Sequence, residues 1–192
     1  MESLFKRNVL EHIEVMSNLD HLERAVGQAI AIITECFSDR RKLFICGNGG
    51  SAADSQHIAA EFTGRFIHDR KPLPAIALST DSSALTCISN DYAYEEVFSR
   101  QLYAIGNEGD CLLGISTSGN SENVLRAVSM AKKLNIKSIC LLGRDGGRLA
   151  EQCDLPIIVG SNVTARIQEA HILIGHTICG GVEQELGLVP SS

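Results

Sequence analysis

Five short, almost wholly apolar runs recur along the chain, at Leu43–Cys46, Ala75–Leu78, Cys111–Ile115, Ser138–Leu142 and Leu155–Val159. Each leads through a turn into residues of helical period. Strands this apolar have no polar face to offer water, so both faces must be covered, and helical crossovers join such strands in parallel. The pattern predicts a three-layer α/β/α sandwich with a five-stranded parallel sheet. A chain of 192 residues supports one such core better than two, so residues 1–192 read as a single domain.

The helices expected between the runs start at Ser51, near Ser83–Ser89 and Tyr94–Ile105, at Glu122–Leu134 ending in Asn135, at Arg144–Glu151, and from about Thr164 to Leu186. Two more precede the first strand within residues 1–37. From Glu2 to about Ser17, the residues Phe5, Val9, Ile13 and Met16 recur at helical spacing. Asp20, with Glu23 three positions on, is the expected N-cap of a second helix through Phe37, striped by Leu22, Val26, Ile30 and Ile33. The first helix has little to bury against inside one small domain, so it is expected to pack on another subunit.

Net charge is −6, and the only basic clusters, Asp39–Lys42 and His68–Lys71, are too short for a nucleic-acid footprint. An anionic ligand must therefore be held by local N–H groups and hydroxyls. The seven cysteines contain no C-x-x-C pair and several lie inside apolar runs, which reads as buried thiols of a reducing cytoplasm. The N-terminal MESLFKRNVLEHIE is charged throughout and no apolar stretch is long enough to span a bilayer, so neither secretion nor membrane insertion is expected.

In parallel sheets of this kind ligands bind beyond the carboxyl ends of the strands, where Gly47–Ser51, Ser79–Ser83, Ser116–Ser121 and Gly143–Gly147 fall. Within Leu43–Phe66, the loop GNGGSA opens a helix, and free N–H groups at a helix N-terminus attract an anion. The loop fits G-x-G-x-x-A, yet the next acidic residue at a strand end is Asp81, well past the roughly 20-residue offset of a ribose-binding carboxylate. No Lys follows the glycines, so a Walker A loop is excluded. A tight turn with Ser51 as helix cap explains the glycines equally well. The second loop, STSGNS at Ser116–Ser121, offers four hydroxyls and a flexible glycine before another helix. Two such loops on one sheet edge suit a phosphate ester better than a nucleotide.

His57 and Glu61 stand four apart, on one helical face directly after the first loop. An imidazole and a carboxylate so placed can share a divalent metal or act as an acid–base pair; a solvated pair is the plainer reading. The last helix supplies Gln168, Glu169, His171 and His176 among apolar residues. Glu169 lies nearest His176 on the helical wheel, Gln168 about 80° away, and spacing does not choose between them. His171 reads equally as a buried structural histidine.

CGNGGSAADSQHIAAE, SND at Ser89–Asp91, GISTSGNS at Gly114–Ser121 and ARIQEAHILIGH at Ala165–His176 together resemble the phosphoheptose (sedoheptulose 7-phosphate) isomerases of the sugar isomerase (SIS) superfamily, over nearly the whole chain. The resemblance implies a cytoplasmic homotetramer that converts sedoheptulose 7-phosphate to D-glycero-D-manno-heptose 7-phosphate through a cis-enediol, the first step toward lipopolysaccharide heptose. It implies zinc held by His57, Glu61, Gln168 and His176, with Glu61 and His176 as the catalytic acid and base. Substrate contacts would fall on Asn48, Gly49, Gly50, Ser51, Glu61, Asn90, Asp91, Ser116, Thr117, Ser118, Ser121 and Gln168, in a site built at subunit contacts. Some members carry Asp where this chain has Ala165, so no role of that carboxylate carries over. A related group of the same fold binds the bacterial replication initiator without catalysis; its members depart at the acid–base positions, whereas this chain keeps Glu61 and His176.

Overall fold

The computed structural model describes residues 3–189. Strands β1 (Leu43–Gly47), β2 (Ala75–Ala77), β3 (Cys111–Ser116), β4 (Lys137–Gly143) and β5 (Leu155–Val159) form one all-parallel sheet in the order β2-β1-β3-β4-β5. Every residue of β1 and β3 is buried, as unbroken apolar strands require. Alternation along the strands then divides the core into two layers. Leu43, Ile45, Leu113, Ile115, Ile139 and Leu141 face one set of helices, while Phe44, Cys46, Leu112, Cys140 and Leu142 face the other.

The first face is covered by α2 (Glu23–Ser38), α3 (Gly50–Thr63) and α8 (Thr164–Glu185). The second is covered by α4 (Ser82–Asp91), α5 (Val97–Ile105), α6 (Glu122–Lys133) and α7 (Gly147–Gln152). Thus α3 leaves β1 on one side of the sheet and α6 leaves the neighbouring β3 on the other. The two loops diverge there and open the crevice expected at a topological switch point.

Three local expectations need correction. Asp20 does not cap α2: it starts a 3-10 turn, Asp20–Leu22, and Leu22 stands at the N-cap without a side-chain bond. Burial of Leu22 in the core tightens the chain at that point. The seventh helix begins at Gly147 and not at Arg144, because Arg144 (φ 59°) and Gly146 (φ 88°) are left-handed and cannot continue a right-handed helix. Cys87 is exposed and Cys153 half-buried, so the buried-thiol reading holds for Cys36, Cys46, Cys111, Cys140 and Cys179. Burial pushes the Cys36, Cys46 and Cys179 thiols up to about 12.

Helix α1 (Leu4–Met16) has no buried residue, and Leu4, Phe5, Leu10 and Ile13 are largely exposed. The expected start at Glu2 lies outside the described residues. Polar contacts dock α1 on α8: Arg166 Nη1 donates to Asn8 O (2.7 Å) and His12 Nδ1 pairs with Glu169 Oε2 (2.8 Å). No described helix is long and apolar enough to cross a membrane.

Candidate functional site

The site is built where α3 and α8 run side by side in the same direction. Their contacts rise together in number: Gly50 lies against Gln168, Ile58 against Gly175, His57 against His176, and Phe66, just past α3, against Gly180 and Glu183. Gly175 permits this closeness, since a β-carbon there would come within 2.7 Å of Ile58 Cδ1.

α3 opens at Gly50 behind Gly49, whose φ of 56° needs a residue without a β-carbon. Ser51 is not the cap. It is buried in the first turn, and its carbonyl accepts from Ser55 Oγ (2.7 Å). The Ser51 N–H bonds to Asn48 O, and the Ala52 and Ala53 N–H groups bond to Gly49 O. The glycine loop therefore satisfies several of the donors that the sequence seemed to leave for an anion.

One turn further on, the side chains converge. His57 Nε2 is 3.1 Å from Glu61 Oε1 and 3.0 Å from His176 Nε2. These three residues present ligand atoms all within 4.8 Å of one another. Two nitrogen donors and one carboxylate oxygen suit zinc, and ligand atoms around a tetrahedral zinc lie about 3.4 Å apart. The donor set and its spacing thus fit a metal ion, and α3 and α8 supply it across their interface. Phe66 closes one side, its ring 5.4 Å from that of His176.

Gln168 and Glu169 separate cleanly. Gln168 turns inward, its carboxamide lying over Gly50. Glu169, although nearer His176 on the wheel, turns out to meet Arg166 Nη2 (2.6 Å) and His12. α1 contributes the imidazole partner, His12, while the cationic one, Arg166, stands one turn earlier on α8 itself. His171 takes the structural role: it is fully buried, its Nε2 is 3.0 Å from Leu142 O, and burial drives its pKa down to about 4.

Asp54, which the sequence reading missed, sits one turn before His57. Its Oδ2 is buried with no hydrogen-bond partner among the described residues. Burial raises its pKa, while the nearby His57 and His176 pull it back down. Its i,i+3 spacing from His57 was the one available signal.

Across the crevice, Ser121 stands at the N-cap of α6 with its carbonyl accepting from the Leu125 N–H, but its hydroxyl makes no cap bond and pairs instead with Ser116 Oγ (2.8 Å). The side chain that would ordinarily cap the first-turn donors of α6 is thus turned aside. Thr117 and Ser118 are half-buried in the same loop, where Ser118 Oγ accepts from the Asn120 N–H. Gly119 (φ 66°) lies directly on the Gly146 carbonyl, which braces this loop on the one after β4.

Asn48 joins the two loops. Its carboxamide exchanges two 2.8 Å hydrogen bonds with Asn123 of α6, and its oxygen also accepts from the Tyr94 hydroxyl (3.0 Å). Neither Asn123 nor Tyr94 carried a sequence signal. Asn90 and Asp91 bond to each other, and Asp91 to Cys87, at the exposed end of α4. No hydrogen bond among the described residues ties them to the histidine cluster.

Known proteins share both the sequence and this architecture. A family model for the SIS domain matches residues 6–143. The chain is 50% identical to a phosphoheptose isomerase of Helicobacter pylori over 185 residues, covering 96% of each chain. It is 49% identical to that of Aliarcobacter butzleri, covering 97% of this chain and 99% of the relative. Among solved structures, phosphoheptose isomerases from Neisseria gonorrhoeae (43% identity, TM-score 0.89) and Francisella tularensis (38%, TM-score 0.91) cover 95% and 96% of this chain and the whole of theirs. Agreement at this level over nearly the full length of both partners goes well beyond a shared fold, and it places this chain in the phosphoheptose isomerase family of SIS-domain proteins.

Proposed function

We propose that this chain is a zinc-dependent sugar-phosphate isomerase that converts sedoheptulose 7-phosphate to D-glycero-D-manno-heptose 7-phosphate, the first step toward the heptose of lipopolysaccharide. Membership of the phosphoheptose isomerase family supports the reaction. The observation that carries the site is the meeting of His57, Glu61 and His176 on two different helices, one of which follows the loop after β1. The family resemblance adds Gln168 as the fourth ligand; its carboxamide lies over Gly50, about 12 Å along α8 from His176, and would have to reach the ion from there. Bound there, zinc supplies Lewis acidity toward the carbonyl and hydroxyl oxygens of the substrate.

Glu61 and His176 carry the protons. One takes the proton from C1, whose C–H electrons form the C1–C2 double bond while the C2 oxygen is protonated. The C1 hydroxyl then loses its proton and C2 gains one, which leaves the aldehyde at C1. Both functional groups suit proton transfer, and each is held by a different helix.

The phosphate belongs on Ser116, Thr117, Ser118 and Ser121, where hydroxyls and the start of α6 face the crevice without a competing cap. Asn48, Gly49, Gly50 and Ser51 border the sugar from the other loop, and Asn48 is held by Asn123 and Tyr94. We place Asn90 and Asp91 in the substrate site as well; Tyr94, three residues on, already reaches Asn48. Anchoring the distant phosphate lets non-reacting binding energy position the reacting carbons.

The exposed apolar residues of α1 support a homotetramer in which residues 1–37 serve assembly and residues 1–192 act as one domain. In this reading the enzyme works in the cytoplasm, without membrane or nucleic-acid partners. A coupled assay on sedoheptulose 7-phosphate tests the proposal. Turnover should vanish on chelation and return with added zinc, and Glu61→Gln should lose about 100- to 10,000-fold. Full turnover by Glu61→Gln would remove the proton-transfer assignment. An inactive wild-type protein under every metal condition would remove the function.

A further inference from the structure

We propose that Arg70 and Glu183 form a clamp that positions α3 against α8 and thereby sets the metal affinity of His57, Glu61 and His176. The inference rests on the metal-dependent reading above. Arg70 lies in the irregular segment between α3 and β2, yet its side chain and that of Glu183 are each 1% exposed. A guanidinium and a carboxylate this far from water need every partner they can find.

The partners are specific. Arg70 Nε donates to Glu183 Oε1 (2.6 Å), Nη2 to Glu61 O (2.7 Å), and Nη1 to Phe62 O (2.6 Å), Gly64 O (3.2 Å) and Lys71 O (3.1 Å). The last carbonyls of a helix have no partner within it, and a cation at that end also suits the dipole. Here the carbonyl of Glu61 itself is one of those held. Glu183 Oε1 accepts in turn from the Phe66 N–H (3.2 Å). That bond fixes the residue whose ring packs on His176, beside Gly180. One buried pair thus grips the main chain of one metal-site residue and, through Phe66, the ring of another.

Stability alone does not require such a pair. The cost of desolvating two charges offsets much of their attraction, and an apolar pair of similar volume commonly serves as well. Apolar side chains cannot bond four carbonyls and an N–H in fixed directions. What the ion pair adds is geometry. Neither residue is among the groups whose atoms converge at the cluster, so both are positioning residues.

The test measures the Zn²⁺ dissociation constant of the full-length chain, stripped of metal, by competition with a chromophoric chelator. Urea unfolding of the same metal-free protein and the kcat and KM of the zinc-loaded enzyme accompany it. Arg70→Met/Glu183→Leu removes both charges together, and Glu183→Gln keeps the acceptor oxygen while removing the charge. The double variant should unfold near the wild-type urea midpoint but bind Zn²⁺ about 10- to 100-fold more weakly, with the kinetic loss falling mainly on kcat. Glu183→Gln should show a smaller loss of the same kind. Wild-type Zn²⁺ affinity in a folded double variant overturns the proposal. If the double variant does not fold, Glu183→Gln decides: weakened binding supports the clamp, and an unchanged dissociation constant overturns it. If the wild-type chain binds no Zn²⁺, the metal reading falls and takes the clamp with it; wild-type binding beside unaffected variants removes the clamp alone.

Discussion

Replacing Gly50 with alanine separates the stability of α3 from the geometry of the site. A β-carbon at Gly50 would fall on the Gln168 carboxamide, 2.9 Å from Cδ and 3.2 Å from Oε1, with Nε2 nearer still. The main chain accepts alanine, since Gly50 is not among the left-handed residues, and the first turn of a helix gains at most about 1 kcal/mol from the exchange. The obstacle is the far end of a flexible side chain. Gln168 therefore swings aside, at a strain of about 0.5–1.5 kcal/mol if it must leave its rotamer. The two effects nearly cancel, so the melting temperature should move by no more than about 4 °C. Turnover should fall about 100-fold, the usual cost of misplacing a group in a site by roughly 1 Å. Thermal unfolding and the sedoheptulose 7-phosphate assay measure the two sides. A double-mutant cycle with Gln168→Ala isolates the cause, because Gly50→Ala should do little more once Gln168 is gone. Wild-type turnover by Gly50→Ala, or losses that add fully in the double variant, would refute the reasoning.

His171 predicts a pH dependence of stability. Its folded pKa of about 4 lies below the ordinary value, so as pH falls the unfolded chain takes up the proton first. The stability this group contributes is complete above about pH 6.5 and is lost down to about pH 4, a span of roughly 3 kcal/mol. His171→Leu should flatten that part of the urea-midpoint profile; an identical slope in the variant would contradict the assignment. Phe5 and Ile13 test the exposed face of α1, being 79% and 52% exposed. Phe5→Lys/Ile13→Lys should leave the far-ultraviolet circular dichroism unchanged and dissociate the proposed tetramer in size-exclusion chromatography with light scattering. An unaltered assembly would rule out that face as its contact.

Much of the fold is legible in the sequence because its periodicities are local. Apolar runs such as Leu43–Cys46 and Cys111–Ile115 leave no polar face, so a sheet covered on both sides follows directly. Asn135 marks the end of α6 as expected, with its left-handed φ of 55°. Boundaries failed where long-range packing outweighed a local signal. Asp20 looks like a cap until burial of Leu22 tightens the preceding turn. The helix after β4 starts late because Gly119 packs on Gly146 and the chain there runs left-handed.

The site divides in the same way. Spacing alone puts His57 and Glu61 on one helical face, and the four family motifs bring Gln168 and His176 into view from the far end of the chain. The helical wheel sets Glu169 nearer His176 but does not choose between it and Gln168, since a wheel carries angles within one helix and no knowledge of what stands beside it. Arg166 and His12 draw Glu169 outward, and the close approach of α3 leaves Gln168 over Gly50. The Asn48–Asn123–Tyr94 link and the Arg70–Glu183 pair likewise join residues through contacts that no local pattern encodes. Short-range period and motif order suffice for the layered architecture, for the glycine- and serine-rich loops after β1 and β3, and for the family. Tertiary structure decided which side chains meet, because that depends on the parallel packing of α3 and α8 and on which neighbour each polar group finds when it leaves water.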